Sequence, residues 1–253
     1  MPTPAQLLAR LDEIAFSVRE QPGALAVIGV GSSGQETARL DEHSDLDFFV
    51  LVAPGSKEGY LRDTGWLERA HPLAYSFQNE ADGRKVLFED GIFAEYAVFE
   101  PADLERVPFS GGRLVWRRDG VDERVAVPKV PASRRARPIE GHVGEALTNL
   151  FVGLHREARG EVVTATRFVQ GYAVDRVMDL AELLFEPRSG TRDPFGAERR
   201  FERRYPQVAA SLPAMMPGYG RNREAAVCIL EWLEAHVEVH PRMALEIRKL
   251  CGK

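Results

Sequence analysis

The sequence has 253 residues and a formal net charge of -5, with 44% hydrophobic and 28% charged residues. This length and composition are typical of one large or two smaller globular domains, and they exclude a chain that is disordered throughout. The acidic balance argues against nucleic acid as a partner, because a protein that coats nucleic acid would be basic.

Cysteine content and hydropathy indicate where such a protein would work. Cys228 and Cys251 are too few for a disulfide framework or a zinc cluster. No apolar run approaches the length of a membrane span. The first residues, Met-Pro-Thr-Pro-Ala, lack the basic and apolar regions of a secretory signal. We therefore expect a cytoplasmic protein of bacterial type without a membrane partner.

The first half of the chain is predicted to contain an opening helix and then buried strands. Apolar residues recur at helical spacing over 5–20, and Pro22-Gly23 ends this helix. A second helix is predicted at 58–70 and a hairpin turn at 81–83. The predicted strands are 24–30, 46–52, 73–78, 85–89 and 93–99.

The second half of the chain has a helical pattern after an arginine-rich and proline-rich tract at 113–138. That tract predicts a strand or two followed by a linker, and 188–196 predicts a loop. Helical apolar spacing is found at 143–154, 169–184, 225–237 and 243–250. We therefore predict an α+β N-terminal domain of residues 1–137 and a helical domain of residues 138–253.

Two aspartates at the start of the second strand are the first candidate site residues. Asp45 and Asp47 are two residues apart, so their side chains would point the same way from an extended chain. Two adjacent carboxylates repel each other unless a cation lies between them. Magnesium is the usual cation, since it prefers one or two carboxylates together with phosphate oxygens.

A glycine-serine turn directly after the first strand would complement these acids. It reads Gly31-Ser32-Ser33-Gly34. Such a turn lets backbone N–H groups approach a phosphate closely, and a serine adds a hydroxyl donor. Taken separately, each motif is more often a flexible turn or a solvated strand start. In this order between two buried strands, they favour a phosphate and metal site.

Glu95 is the third candidate acid. It lies inside the apolar strand 93–99, where an unpaired charge is rarely buried, so a metal shared with the two aspartates would explain it. The alternative is an edge-strand glutamate that faces water. Glu89 and Asp90 lie nearby in sequence and compete for the same role.

The order of these motifs resembles the nucleotidyltransferase superfamily that includes polymerase β. The layout is most similar to the longer lincosamide nucleotidyltransferases and, more distantly, the aminoglycoside nucleotidyltransferases. Roughly residues 24–185 are covered, although only the Gly-Ser and Asp-x-Asp elements are specific. The spacer from Ser32 to Asp45 is about two residues longer than the family pattern. The phosphate-binding serine therefore remains open between Ser32 and Ser33.

The resemblance implies a polymerase-β-like domain with a mixed sheet and flanking helices, followed by a helical bundle on the acceptor side. It implies transfer of NMP from a nucleoside triphosphate to a hydroxyl of a small-molecule acceptor, with release of pyrophosphate. An antibiotic acceptor would follow from the resemblance alone. The implied ligands of two magnesium ions are Asp45, Asp47 and Glu95. The implied nucleotide contacts are Gly31 with Ser32 or Ser33, and either Arg137 or Arg167.

Several alternatives stay open at this point. The proton of the acceptor hydroxyl could pass to Glu95, Glu145 or Asp175. Within the same fold, the chain could instead be a non-catalytic nucleotide-binding module, or a toxin-antitoxin-type enzyme that modifies protein or RNA. A homodimer is compatible with the sequence, because Tyr60, Trp66 and Phe77 could line either a core or an interface.

Overall fold

The computed structural model describes residues 2–132, 137–190 and 194–252. The protein divides into two compact units, residues 1–133 and 134–253. Within the described ranges, no helix combines the length and the apolar character needed to cross a membrane. Arg134 and Arg135 of the predicted linker, and residues 191–193 of the predicted loop, lie outside the described residues.

The first unit contains the strands that the apolar runs predicted. Its helices are α1 (Pro4–Arg19), α2 (Lys57–Arg62), α3 (Gly65–Glu68) and α4 (Pro101–Leu104). Its strands are β1 (Ala24–Val30), β2 (Leu46–Val52), β3 (Leu73–Gln78), β4 (Gly83–Phe88), β5 (Phe93–Phe99), β6 (Pro108–Phe109), β7 (Arg113–Arg117) and β8 (Val130–Pro131). Single 3-10 turns occupy Gly31–Ser33, Thr37–Arg39 and Glu123–Ala126.

Six of these strands form one mixed sheet in the order β3-β4-β5-β2-β1-β7. Strands β2 and β5 run parallel, and every other neighbouring pair in this sheet is antiparallel. The predicted α+β class with a mixed sheet and a helical C-terminal part is confirmed. Strands β6 and β8 form a separate parallel pair.

Alternation along β2 separates a packed face of the sheet from the face that carries the acids. Phe48 and its alternate neighbours pack with α1 and α3 in one core cluster. The ring of Phe48 stacks on Tyr96 of β5 with centroids 5.3 Å apart, and Trp66 meets Tyr96 edge-on. Tyr60 and Trp66 belong to this core, whereas Phe77 on the edge strand β3 is 51% exposed.

The predicted helix at 58–70 is wrong as a single helix. It is divided into α2 and α3, and Asp63 between them has an extended backbone. The Asp63 carboxylate accepts a hydrogen bond from the backbone N–H of Gly65. Aspartate competes with helical hydrogen bonds in this way, and the apolar pattern does not show this competition.

The second unit consists of helices around its own apolar core. The helices are α5 (Ile139–Ala158), α6 (Val162–Thr166), α7 (Val174–Leu184), α8 (Phe201–Arg204), α9 (Pro206–Ala209), α10 (Leu212–Met215), α11 (Asn222–His236) and α12 (Pro241–Leu250). A π-helical segment, Arg167–Ala173, joins α6 to α7. An ion pair between Arg204 and Glu182 is buried inside this unit.

Candidate active site

The acids of the first unit meet on neighbouring strands of the sheet. Asp47 lies opposite Glu95 in the parallel pairing of β2 with β5. Asp45 directly precedes β2, and all three residues are partly exposed. Side chains that are paired across neighbouring strands lie about 5 Å apart at Cβ. The register therefore places Asp47 and Glu95 side by side on one face of the sheet.

The Gly-Ser turn lies against the Asp47 carboxylate. Gly31 has a φ of 58°, and a Cβ at this position would lie 2.7 Å from Oδ2 of Asp47. Only glycine accepts both this backbone angle and this close approach. The turn and the start of β2 are therefore in direct contact, as a combined phosphate and metal site requires.

The structure distinguishes the two rival serines of this turn. Ser33 is fully buried, and its hydroxyl is 2.6 Å from the carbonyl oxygen of Asp47 and 2.9 Å from that of Val30, to which it can donate. This hydroxyl fastens the turn to β2 and is unavailable to a ligand. Ser32 is partly exposed. Its hydroxyl is the better candidate for a phosphate contact.

The longer spacer between the turn and the acids folds into local turns of its own. The Asp41 carboxylate accepts a hydrogen bond from the backbone N–H of His43 at 2.9 Å, and Ser44 also bonds to Asp41. His43 is exposed to solvent. Residues 41–43 of the spacer are exposed, and the Gly-Ser turn contacts Asp47 at the start of β2.

Glu95 is held by two side chains of the β3–β4 hairpin. Lys85 Nζ lies 3.1 Å from Oε2, and Asn79 Nδ2 donates to Oε1 at 3.3 Å. Lys85 lies opposite Glu95 in the pairing of β4 with β5. Both carboxylate oxygens of Glu95 therefore have protein partners.

The donor chemistry of the three acids fits magnesium, which prefers carboxylate oxygens. Within the described residues, however, no group of three or more His, Cys, Asp and Glu side chains is arranged to hold a metal ion. Magnesium keeps several waters and commonly uses only one or two carboxylates. Asp45 and Asp47 are thus a sufficient donor pair by type, while Glu95 is paired with Lys85.

Sequence reasoning missed Arg113 at this site by grouping it with the linker arginines. Arg113 begins β7, opposite Gly29 of β1, and its Nε donates to the carbonyl oxygen of Ser33 at 3.2 Å. Its Nη2 is buried and has no hydrogen-bond partner. The pairing of β7 with β1 brings a guanidinium to the Gly-Ser turn. The sequence signal was an arginine at the start of a strand.

A groove of about 470 Å³ adjoins the acids on the same unit. Asp47, Glu95 and Asn79 line it, with Phe49 and Phe99 among its apolar residues. No Lys or Arg is found among its described lining residues. Its volume suits a small ligand. The absence of basic side chains makes it a poor site for a bare polyphosphate.

Asp82 adds a further carboxylate to this groove and is neutralised by Lys57. Lys57 Nζ lies 2.6 Å from Asp82 and 2.8 Å from Asp103. Burial opposes the charge on Lys57, but its bonds to Asp103 and Asp82 outweigh burial and raise its pKa. The lysine therefore stays charged and fixes Asp82 at the rim.

The remaining candidates lie in the second unit. Arg137 forms an ion pair with Glu145 at 2.8 Å and lines a cavity of about 500 Å³ together with Asp175. Burial raises the pKa of Asp175, and the carboxylates of Glu198 and Asp179 add to this effect against the opposing influence of Arg176. Arg167 is exposed.

Comparisons with known proteins give structural neighbours only. No protein-family model and no curated protein matches the sequence. An aminoglycoside 6-adenyltransferase from Bacillus subtilis is 10% identical with a TM-score of 0.40, and covers 100% of this chain and 98% of its own. A Thermotoga maritima CCA-adding enzyme, solved in complex with tRNA, is 14% identical with a TM-score of 0.33, and covers 96% of this chain and 68% of its own.

A third neighbour is the CD-NTase CdnG of Bradyrhizobium diazoefficiens in complex with GTP. It is 16% identical with a TM-score of 0.25, and covers 98% of this chain and 99% of its own. At these identities and scores, the likeness by itself decides no activity. The functional conclusion depends on the residues of the first unit.

Proposed function

We propose that this chain is a cytoplasmic, magnesium-dependent nucleotidyltransferase that moves NMP from a nucleoside triphosphate to a hydroxyl of a small-molecule acceptor. The contact of the Gly-Ser turn with β2 carries this proposal. Gly31 lies so close to Asp47 that a Cβ at position 31 would be 2.7 Å from Oδ2 of Asp47. The Gly-Ser turn and Asp47 thus lie together where β1 ends and β2 begins. The cytoplasmic placement is supported by the sequence alone.

The proposed site contains hydrogen-bond donors for phosphate and carboxylates for magnesium. The N–H groups of the turn, the Ser32 hydroxyl and the Arg113 guanidinium are donors that suit phosphate oxygens. Asp45 and Asp47 would hold magnesium, which when bound neutralises phosphate charge and stabilises the entering and leaving oxygens. These donors and acids complement a metal–triphosphate complex.

The acceptor is assigned to the groove beside Asp47 and Glu95, since this groove offers hydrogen-bond acceptors and apolar surface. The acceptor oxygen attacks the α-phosphorus in line, so that a new P–O bond forms while the bond to the β-phosphate breaks and pyrophosphate leaves. The hydroxyl proton passes to a carboxylate, for which Glu95 is the candidate in this unit.

The test is thermal unfolding with ATP, GTP, CTP or UTP, each with and without magnesium, because it requires no knowledge of the acceptor. A ligand at 100 times its Kd that binds only the folded state adds about 2.7 kcal/mol to the free energy of unfolding. We expect a rise in Tm with at least one nucleotide that needs magnesium and disappears in Asp45→Asn. The melting curve without ligand is the control for the fold of the variant.

No rise with any nucleotide at millimolar concentration would contradict the proposal. An equal rise in Tm for Asp45→Asn and the wild type would mean that the nucleotide binds elsewhere than at this site. A magnesium-dependent rise in Tm without turnover on any hydroxyl acceptor would mean that the chain binds nucleotide but does not catalyse transfer.

Replacing Arg113 by methionine is expected to weaken MgATP binding about tenfold, since a hydrogen bond to a charged group contributes about 1.5–3 kcal/mol. The variant loses the charge at the Gly-Ser turn and the bond to the Ser33 carbonyl oxygen. The Kd is measured by titration with a fluorescent ATP analogue in the presence of magnesium.

Arg117→Met is the matched control, because Arg117 lies on the same strand but pairs with Glu123 at 2.8 Å. We expect its Kd to stay within about twofold of the wild-type value, as is usual for an exposed ion pair. Equal Kd values for the two variants would remove Arg113 from the phosphate site.

A further inference from the structure

Glu95 lies beside Asp47, which the proposed function assigns to magnesium, yet its own carboxylate is held by other side chains. Its two oxygens bind Lys85 at 3.1 Å and Asn79 at 3.3 Å. Both partners come from the β3–β4 hairpin, Asn79 just after β3 and Lys85 on β4. The hairpin therefore holds the carboxylate from one side.

The register gives Lys85 a definite electrostatic role. Along one row of the sheet, Asp47 lies opposite Glu95, and Glu95 lies opposite Lys85. Neighbouring like charges on paired strands are destabilising. The ammonium of Lys85, 3.1 Å from Oε2 of Glu95, offsets part of the repulsion between the two carboxylates.

The pair formed by Lys85 and Glu95 is also weak enough to open. Each side chain is 40% exposed. Exposed ion pairs are screened by water, and opening one costs no more than about fivefold in an equilibrium constant. A bound divalent ion could compete with the lysine for the same carboxylate.

We propose that Lys85 is a tethered cation that holds Glu95 in the ligand-free protein and is displaced from it when a divalent metal binds. This inference rests on the proposed function. Lys85 is a positioning residue here, because it acts through Glu95.

The test uses Mn²⁺ as the probe and the full chain as the sample. Electron paramagnetic resonance measures the concentration of free Mn²⁺, from which the Kd is obtained. We expect Lys85→Met to tighten Mn²⁺ binding about fivefold, since the competing ammonium is lost. In the Glu95→Gln background, Lys85→Met is expected to change the affinity by less than about twofold, because the carboxylate through which it acts is gone.

Arg84→Met is the matched control for charge. Arg84 is the neighbour of Lys85 on β4, lies opposite Tyr96, and bonds to the Ser76 hydroxyl. The Arg84→Met variant loses one positive charge, as Lys85→Met does, but from the other face of the sheet. We expect the Mn²⁺ affinity of Arg84→Met to equal that of the wild type. Thermal unfolding of each variant verifies that it folds.

Two results would overturn the inference while leaving the proposed function intact. One is a wild type that binds Mn²⁺ while Lys85→Met binds it no more tightly. The other is an increase in Mn²⁺ affinity from Lys85→Met that is the same in the wild-type and Glu95→Gln backgrounds. Lys85 would then act on the ion by long-range charge repulsion and not through Glu95. Failure of the proposed function looks different, since then neither Mn²⁺ nor any magnesium–nucleotide complex binds the wild type.

Discussion

Asp47→Asn is expected to lower kcat/KM for nucleotidyl transfer about a thousandfold or more. The substitution keeps the shape of the side chain beside Gly31 and removes the carboxylate that contacts the Gly-Ser turn. Losing several kcal/mol of transition-state charge stabilisation at phosphorus corresponds to this factor, because each 1.36 kcal/mol is tenfold in rate. The rate is measured as pyrophosphate release from a magnesium–nucleotide complex with an acceptor that the wild type uses.

Glu42→Gln is the control for this variant. Glu42 lies in the exposed spacer before β2, where its Oε1 is 3.7 Å from Nε2 of His43. We expect its kcat/KM to match that of the wild type. Turnover by Asp47→Asn at the wild-type rate would exclude the assigned role of the acidic pair.

Arg204→Met is expected to lower the free energy of unfolding of the helical unit by about 3–5 kcal/mol, as is usual when one partner of a buried ion pair is removed. The side chains of Arg204 and Glu182 are 4% and 0% exposed. Arg204 also donates to the carbonyl oxygen of Ala197 at 2.7 Å. Urea unfolding followed by far-ultraviolet circular dichroism measures the change, with each transition fitted separately.

Arg203→Met tests whether burial is the cause, because Arg203 is the exposed neighbour of Arg204 on α8. Its effect is expected to stay within about 0.5 kcal/mol. Replacing Arg204 and Glu182 together by apolar residues should recover much of the loss, since no charge then stays buried alone. A loss below about 1 kcal/mol in Arg204→Met would contradict this account.

The strands could be predicted closely because their apolar runs are short and bounded by turn residues. The predicted bounds of β1, β2, β3 and β5 are those of the structure. Helix boundaries are harder to predict from the sequence. Asp63 separates α2 from α3, and its carboxylate accepts a local hydrogen bond from the backbone N–H of Gly65. Periodicity reports which face is apolar, but it does not report such competing bonds.

The candidate site shows the same division. The spacing of Asp45 and Asp47, and the apolar strand around Glu95, could be read along the chain. The contacts of Lys85 and Arg113 depend on which strands pair and in which register, and they join residues far apart in sequence. A single sequence carries little information on that pairing.

The parallel pairing of β2 with β5 links the packed face of the sheet to the face that carries the acids. Phe48 and Tyr96 stack on the packed face, and the residue before each of them, Asp47 and Glu95, carries a carboxylate on the other. A one-residue slip between the strands would turn Glu95 inward. Packing of Phe48 against Tyr96 on one face therefore helps to set the register that keeps Asp47 and Glu95 side by side on the other.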